Sequence, residues 1–483
     1  MLPTQGKTDE RRLLVVSYIF PPFFSAGGSI RVIKFLKYLP RLGWHPIVLT
    51  VDDRQEYEHL RREGSEELLQ ELPPEVAIRR TQAGEPPAGV VARGRAAREQ
   101  SRAAGLVVNT LRALKRWAEH WLLVPDENIT WLPFAVRAGR EIIRKDRVQA
   151  IFATCPPHSA AVAGMLLKWL TGRPLVLDFR DDWVDTPWCR TRPALVQAVN
   201  RLLERWTVRT AARVILVTPR SRDAFRQRYP HAPEARFVYI PNGVDLADYP
   251  AAAPIEARSP EGAFTIVHAG LLTVADDWHR SPEPVFDALR LIRQNEPELG
   301  RKIRLVFTGS LPDAYRDRVK EMGLQDAVEE VGYLPRPEFV RLLQCADTLL
   351  AINYEKFSTL VPGKIYEYWA IGGPPILLLS HPGAAQDLVE KFDLGATLDP
   401  ADARGIARTL LGLFESRQRG EPVRIRRDGI NEFDRPVLAG QLARTLEEAT
   451  TTGRQRTDSE TSQVMPQPVH HGRGGVMPPA DRG

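Results

Sequence analysis

From Arg12 the chain passes through a short apolar run, Leu13 to Ser17, and a Pro- and Gly-rich loop holding Pro21, Pro22, Gly27 and Gly28. A helical stripe and a second apolar run, Ile47 to Val51, follow. This order predicts a βαβ unit. In its helix Val32, Phe35, Leu36, Leu39 and Leu42 share one face, so Arg31, Lys34, Lys37 and Arg41 are expected to face outward. Gly43 reads as the residue that ends the helix, although Pro40 is out of place in the last turn.

Residues 54–125 break the regularity and read as a helical insertion rich in charge. Within it, a basic helix at about 106–121 lines up Val107, Leu111, Leu114, Ala118 and Trp121 beside Arg112, Lys115 and Arg116. Such a helix either lies on an anionic membrane surface or packs on its own domain with a solvated rim. Alternation of strands and helices resumes at Ala150 and continues to Asn242, giving a first α/β domain over 12–242 with a parallel sheet. An Ala- and Pro-rich stretch, 243–262, reads as a linker. A second series of strands and helices fills 263–428 and makes a second Rossmann-like unit, followed by a last helix over 429–449. The first 11 residues read as a flexible start, and 450–483 as a disordered tail.

The chain of 483 residues carries 66 Lys and Arg against 60 Asp and Glu, a net charge of +6 with no block of one sign. That does not point to nucleic acid. Hydrophobic residues at 43% and charged ones at 26% exclude wholesale disorder, collagen and coiled coil. Cys155, Cys189 and Cys345 lie far apart with no CxxC pair, so neither a disulfide framework nor a metal site is expected. No apolar run is long enough to span a bilayer, and the polar start lacks the core of a signal peptide, which predicts a cytoplasmic protein.

Function in such a pair of sheets is expected in the loops after strands, where both domains turn their carboxyl ends to a shared crevice. Gly27 and Gly28 sit between a strand and a helix, where a phosphate can approach backbone N–H groups; a tight turn capped by Ser29 is the structural alternative. GxGxxG is absent, so this is no dinucleotide fingerprint. In the second domain Lys364 stands in the first turn of a helix, where a cation opposes the helix dipole unless an anion docks there too. Glu367 lies on the same face and can accept from sugar hydroxyls, although a solvated Lys–Glu pair is the plainer reading. Asp178, Arg180, Asp181 and Asp182 cluster at a strand end expected to face the crevice, to bind an acceptor and to hold an Arg180–carboxylate pair; a purely structural network is the alternative.

Five strings occur in order: Val15-Val-Ser-Tyr-Ile-Phe-Pro-Pro22 with Gly27-Gly28, Ala153-Thr-Cys-Pro-Pro-His-Ser159, Asp178-Phe-Arg-Asp-Asp-Trp183, Ile240-Pro-Asn-Gly-Val-Asp245, and Val361-Pro-Gly-Lys-Ile-Tyr-Glu-Tyr368. Together they resemble the family-four-type glycosyltransferases, which are retaining, nucleotide-sugar-dependent enzymes of the GT-B fold. The resemblance runs from about residue 12 to 450 and is weakest over 54–123. It implies an α/β protein of two Rossmann-like domains around a cleft, the first taking the acceptor and the second the nucleotide. It implies Arg280 and Lys364 as the basic pair on the donor diphosphate, with Gly27 and Gly28 nearby. Glu367 would bind the ribose hydroxyls, and the turn Gly332-Tyr333-Leu334 would lie beside the nucleobase. Thr359 and Leu360 fall on the donor side, and Thr154, His158, Asp178, Arg180 and Asp181 on the acceptor side. A helix at about Phe433 to Leu446 would cross back to the first domain.

The implied activity is transfer of a sugar from a UDP- or GDP-sugar to a hydroxyl of a glycan or lipid-linked acceptor, in cell-surface polysaccharide or cell-wall biosynthesis. It needs no metal and no cofactor, and a place on the inner face of the plasma membrane through the 106–121 helix is open. Two departures matter. Thr359 stands where the family's paired-Glu pattern has its first Glu, with Glu355 as a substitute. Thr154 replaces a histidine common in relatives, with His158 four residues on either in the site or packing its helix. A non-hydrolysing nucleotide-sugar epimerase and a catalytically silent scaffold remain alternative readings.

Overall fold

The computed structural model describes residues 11–23, 28–52, 66–84, 123–249, 262–270, 272, 281–353 and 358–464, without the side chains of 187, 188 and 452–464. Gly27, Arg280, Glu355 and the 106–121 helix lie outside that range. The first sheet comprises β1 (Arg11–Val16), β2 (Trp44–Val51), β3 (Ala77–Thr81), β4 (Ala150–Cys155), β5 (Leu175–Phe179), β6 (Arg213–Leu216) and β7 (Phe237–Tyr239). Its order is β3-β2-β1-β4-β5-β6-β7, with every pair parallel. Strands such as Leu13–Val16 and Ala150–Cys155 are buried along their length, as a sheet covered on both faces requires. The second sheet comprises β8 (Phe264–His268), β9 (Ile303–Phe307), β10 (Val328–Glu330), β11 (Thr348–Ile352), β12 (Ile376–Leu379) and β13 (Gly395–Leu398). It runs β10-β9-β8-β11-β12-β13, also parallel throughout.

The covering helices of the first domain are α1 (Gly28–Tyr38), α2 (Leu132–Lys145), α3 (Ser159–Thr171), α4 (Ala194–Thr210) and α5 (Pro219–Arg228). Those of the second are α6 (Glu283–Asn295), α7 (Asp313–Glu321), α8 (Arg336–Cys345), α9 (Gly363–Ile371), α10 (Ala384–Lys391) and α11 (Ala403–Gln418). A last helix, α12 (Arg435–Val464), returns to the first domain. Its Leu438, Leu442 and Leu446 join Val32, Phe35, Leu36 and Trp44 in one hydrophobic cluster.

Four features depart from the sequence reading. The insertion expected to be helical contributes β3, which pairs with β2, and a 3-10 turn at Glu67–Glu71. The closing helix runs to Val464, beyond the boundary expected at 449. Pro40 does not sit in an α-helical turn: α1 stops at Tyr38, and a 3-10 turn, Leu39–Leu42, ends at Gly43 with φ +78°. Proline fits the start of that new turn, where its missing N–H costs nothing.

The fourth departure concerns charge. Arg31 and Lys34 do not face outward; both are buried. The stripe of α1 packs with β1, β2 and α12 in one cluster, but Arg31 and Lys34 are met by the chain leaving β7, a partner remote in sequence. The cations there are tolerated because each is matched. Arg31 meets Asp178 through Nη2 at 2.9 Å and Nε at 3.3 Å, and donates to the carbonyls of Ile240 and Pro241. Lys34 donates to Glu71 at 2.6 Å, Asp248 at 2.8 Å and Asp245 at 3.0 Å, while Lys37 and Tyr38 also bond Asp245. Burial alone would raise the Asp245 carboxyl, but the bonds from Lys37 and Lys34 outweigh it and hold the group at about 2. The segment joining the domains is thus fastened to α1 by charge.

Candidate functional site

Each sheet reverses its winding at one place, between β1 and β4 and between β8 and β11. Ligands of doubly wound sheets bind outside the carboxyl ends of the strands at these switch points. At the second switch point β8 ends at His268 and is followed by Ala269 and Gly270. The backbone N–H of Ala269 donates to Tyr368 Oη at 2.8 Å, and that hydroxyl donates to the Leu350 carbonyl at 3.2 Å. Tyr368 is fully buried on α9, so it ties the turn after β8 to both α9 and β11.

Lys364, in the first turn of the same helix, lies over that turn. His268 Nδ1 is 3.0 Å from the Leu350 carbonyl, which only accepts, so Nδ1 carries the hydrogen and Nε2 presents a lone pair. Lys364 Nζ lies 3.2 Å from Nε2 and donates to it. Gly270 has φ +98°, and a Cβ added there would come 3.6 Å from Lys364 Nζ, so glycine keeps the space before the ammonium open. The result is a cation held at a helix N-terminus and at the carboxyl ends of β8 and β11. Both backbone dipole and side chain there favour an anion.

One turn along α9, Glu367 is half-buried and makes no hydrogen bond among the described residues. Burial pushes its carboxyl up, partly offset by Arg336, Lys364 and Arg435. Arg336 lies over the Tyr249 ring at 4.4 Å, which places a second cation near Glu367 from α8. A carboxylate with open acceptor positions beside a cationic anion site suits neighbouring hydroxyls. The turn Gly332-Tyr333-Leu334 follows β10 at the edge of the sheet; Gly332 has φ +69° and Tyr333 is 84% exposed.

Thr359 and Leu360 precede α9. Thr359 Oγ1 donates to Asp182 at 2.7 Å, and its carbonyl accepts from Thr218 Oγ1 at 2.5 Å. Asp182 also accepts from Ser221 Oγ at 2.5 Å. The position at which the family's pattern carries a glutamate is therefore occupied here by a contact between the domains. Arg220 and Asp387 add an exposed ion pair across the same boundary.

On the first domain Gly28 opens α1, and a Cβ there would collide with the Arg180 guanidinium. Among the described residues Arg180 donates no hydrogen bond to a carboxylate. Its Nε and Nη2 donate to the carbonyls of Cys155 and Pro156, while Asp181 and Asp178 act on it through charge. Asp178 and Thr154 are not at the crevice surface; both are buried, Thr154 Oγ1 donating to Asp178 at 2.9 Å and Arg31 pairing with it from the other side. A carboxylate at the end of a buried strand needs such partners, and Arg31 supplies them from within the fold. Asp181 is half-buried beside them.

His158 is buried, its ring stacked on Trp183 at 4.6 Å. Burial, with Arg180 nearby, lowers its pKa to about 3, so the imidazole is neutral. Sequence reasoning missed His268, Tyr368, Arg31 and Arg336. Only the Ala269-Gly270 turn after an apolar strand hinted at the first two.

Among the described residues no group of three or more His, Cys, Asp or Glu could hold a metal ion, and no helix is long and apolar enough to cross a membrane. A family profile described as a glycosyl transferase 4-like domain matches residues 26–243. A D-inositol 3-phosphate glycosyltransferase of Corynebacterium aurimucosum is 24% identical over 268 residues, covering 48% of this chain and 62% of that relative. The matched part is thus under two thirds of that relative's length. Among solved structures, sucrose-phosphate synthase from Thermosynechococcus elongatus superposes with a TM-score of 0.56 at 16% identity, covering 94% of this chain and 100% of that one. Anabaena HepE in complex with UDP gives 0.53 at 16% identity, with 94% and 100% covered. Residues 26–243 are therefore similar to a glycosyl transferase 4-like domain, and the two parallel sheets give the chain as a whole the GT-B fold.

Proposed function

We propose that the protein is a retaining glycosyltransferase that moves a sugar from a UDP- or GDP-sugar to a hydroxyl of a glycan or lipid-linked acceptor in cell-surface polysaccharide or cell-wall biosynthesis. The observation that carries this reading is Lys364, held by His268 at 3.2 Å over the turn after β8. In this reading the donor diphosphate lies before Gly270, against Lys364 and the first N–H groups of α9. Arg280, which the family resemblance pairs with Lys364, completes the charge. The cations then stabilise the negative charge that grows on the leaving nucleoside diphosphate, as a metal does in other transferases. Glu367 accepts from the ribose hydroxyls, and Tyr333 lies beside the base.

The acceptor hydroxyl attacks the anomeric carbon on the face from which the diphosphate departs. A departing phosphate oxygen takes its proton, so no side-chain base is called for. The bonds from Thr359 and Thr218 across the cleft favour a closed arrangement that keeps water from the reacting carbon. Incubation with a panel of nucleotide sugars and short glycan or lipid-linked acceptors tests the proposal, with NMR reading the products. Transfer with retained anomeric configuration is expected. Epimerised nucleotide sugar without any acceptor, or no turnover of any donor, would overturn it.

A further inference from the structure

The helix α4 turns apolar side chains outward as well as inward, where Val196 and Val208 are buried. Its inward face holds Asn200, Glu204 and Thr207, all buried. Asn200 accepts from Trp183 Nε1 at 2.8 Å and Glu204 accepts from Arg228 at 2.6 Å. Its outward face holds Leu195, Val199, Leu202 and Trp206, at spacings of four, three and four that place them in one stripe. These side chains are exposed, Leu195 to 62% and Trp206 to 44%. The neighbouring helix α3, which packs against α4, exposes Trp169 to 57% and Leu170 beside it. Six of the eleven large apolar side chains exposed among the described residues belong to these two helices, so they are no random scatter.

The charges beside the stripe are all of one sign. Arg201, Arg205 and Arg209 recur every four residues along its flank, exposed and without an ion pair among the described residues. The acid of the same stretch, Glu204, points into the core. Apolar residues with tryptophan at the edge and arginine alongside are what a helix needs to lie in the headgroup region of a bilayer. The apolar side chains enter the acyl boundary, the indoles sit at the interface, and the guanidinium groups meet phosphates.

We infer that the α3–α4 face is a docking surface for an anionic phospholipid membrane. This inference is independent of the transferase reading, and of the 106–121 segment.

The test uses the full chain and sedimentation with vesicles of phosphatidylcholine, alone or with an equal part of phosphatidylglycerol. The wild type is expected to sediment with the anionic vesicles and little with the neutral ones, and to be released by salt. L202E/W206E is expected to lower partitioning by about tenfold or more, and R201Q/R205Q/R209Q to remove the preference for anionic lipid. Both replace exposed side chains, so unchanged thermal melting is expected. As an independent reading, brominated lipid should quench wild-type tryptophan fluorescence more than that of W206F. The inference is overturned if the wild type ignores anionic vesicles. It also fails if L202E/W206E binds them as well as the wild type, or if light scattering shows a wild-type dimer that L202E/W206E dissociates.

Discussion

Replacing Arg31 by methionine removes the cation of a pair in which neither side chain has any exposed surface. Asp178 would lose two bonds, at 2.9 and 3.3 Å, and keep only the one from Thr154. Stranding a buried charge in this way costs about 3–5 kcal/mol. The reverse change, Asp178→Asn, is milder. Arg31 keeps acceptors in Ile240 O, Pro241 O and Asn242 Oδ1, and the new amide can still accept, so the loss is about 1–3 kcal/mol. The double variant Arg31→Met/Asp178→Asn should be more stable than the sum of the single losses predicts, because a neutral amide in place of the carboxylate strands no charge when Arg31 is gone. Urea denaturation followed by tryptophan fluorescence reads all three. Additive losses, or a loss under about 1 kcal/mol for Arg31→Met, would refute the claim that this pair anchors α1 to β5 and to the segment that leaves β7.

Three further outcomes are expected. Gly28→Ala drives a methyl group into the Arg180 guanidinium, so it should lower thermal stability, and Arg180→Ala in the same chain should restore part of the loss. Tyr368→Phe removes the acceptor of Ala269 N–H and should cost about 1–3 kcal/mol in denaturation, with weaker nucleotide binding as the turn beneath Lys364 loosens. His158 titrates near 3 in the folded protein and near 6.5 unfolded, so the unfolded chain binds the extra proton between those values. Its contribution is whole above pH 6.5 and is lost as pH falls toward 3, at up to about 1.4 kcal/mol per pH unit; His158→Phe should flatten that part of the stability profile measured by urea titration.

The two parallel sheets were legible because their buried strands form short apolar runs separated by helix-period segments. β3 was not, since Ala-Ile-Arg-Arg-Thr is half-buried at the sheet edge and lacks such a run. Arg31 and Lys34 were misplaced for a related reason. A stripe shows which face of α1 is buried, but it carries no sign that the chain leaving β7, about two hundred residues later, meets Arg31 and Lys34. Lys364 stood out because a lysine after Pro-Gly in a first helical turn is electrostatically out of place. His268 did not, because one histidine closing an apolar strand looks like any core residue until its two ring nitrogens are seen between Leu350 and Lys364. Thr359 could be read as a missing glutamate from the sequence, but its bond to Asp182 in the other domain depends on how the two halves meet.

Isothermal titration of UDP and GDP into the wild type and Lys364→Gln tests the central claim most directly. If Lys364 neutralises the donor diphosphate, the wild type binds one of these nucleotides. The variant, with its fold intact by circular dichroism, then binds it about ten- to a hundredfold more weakly, the worth of one charged hydrogen bond. Equal affinity in the two proteins, or no binding of either nucleotide by the wild type, would contradict it.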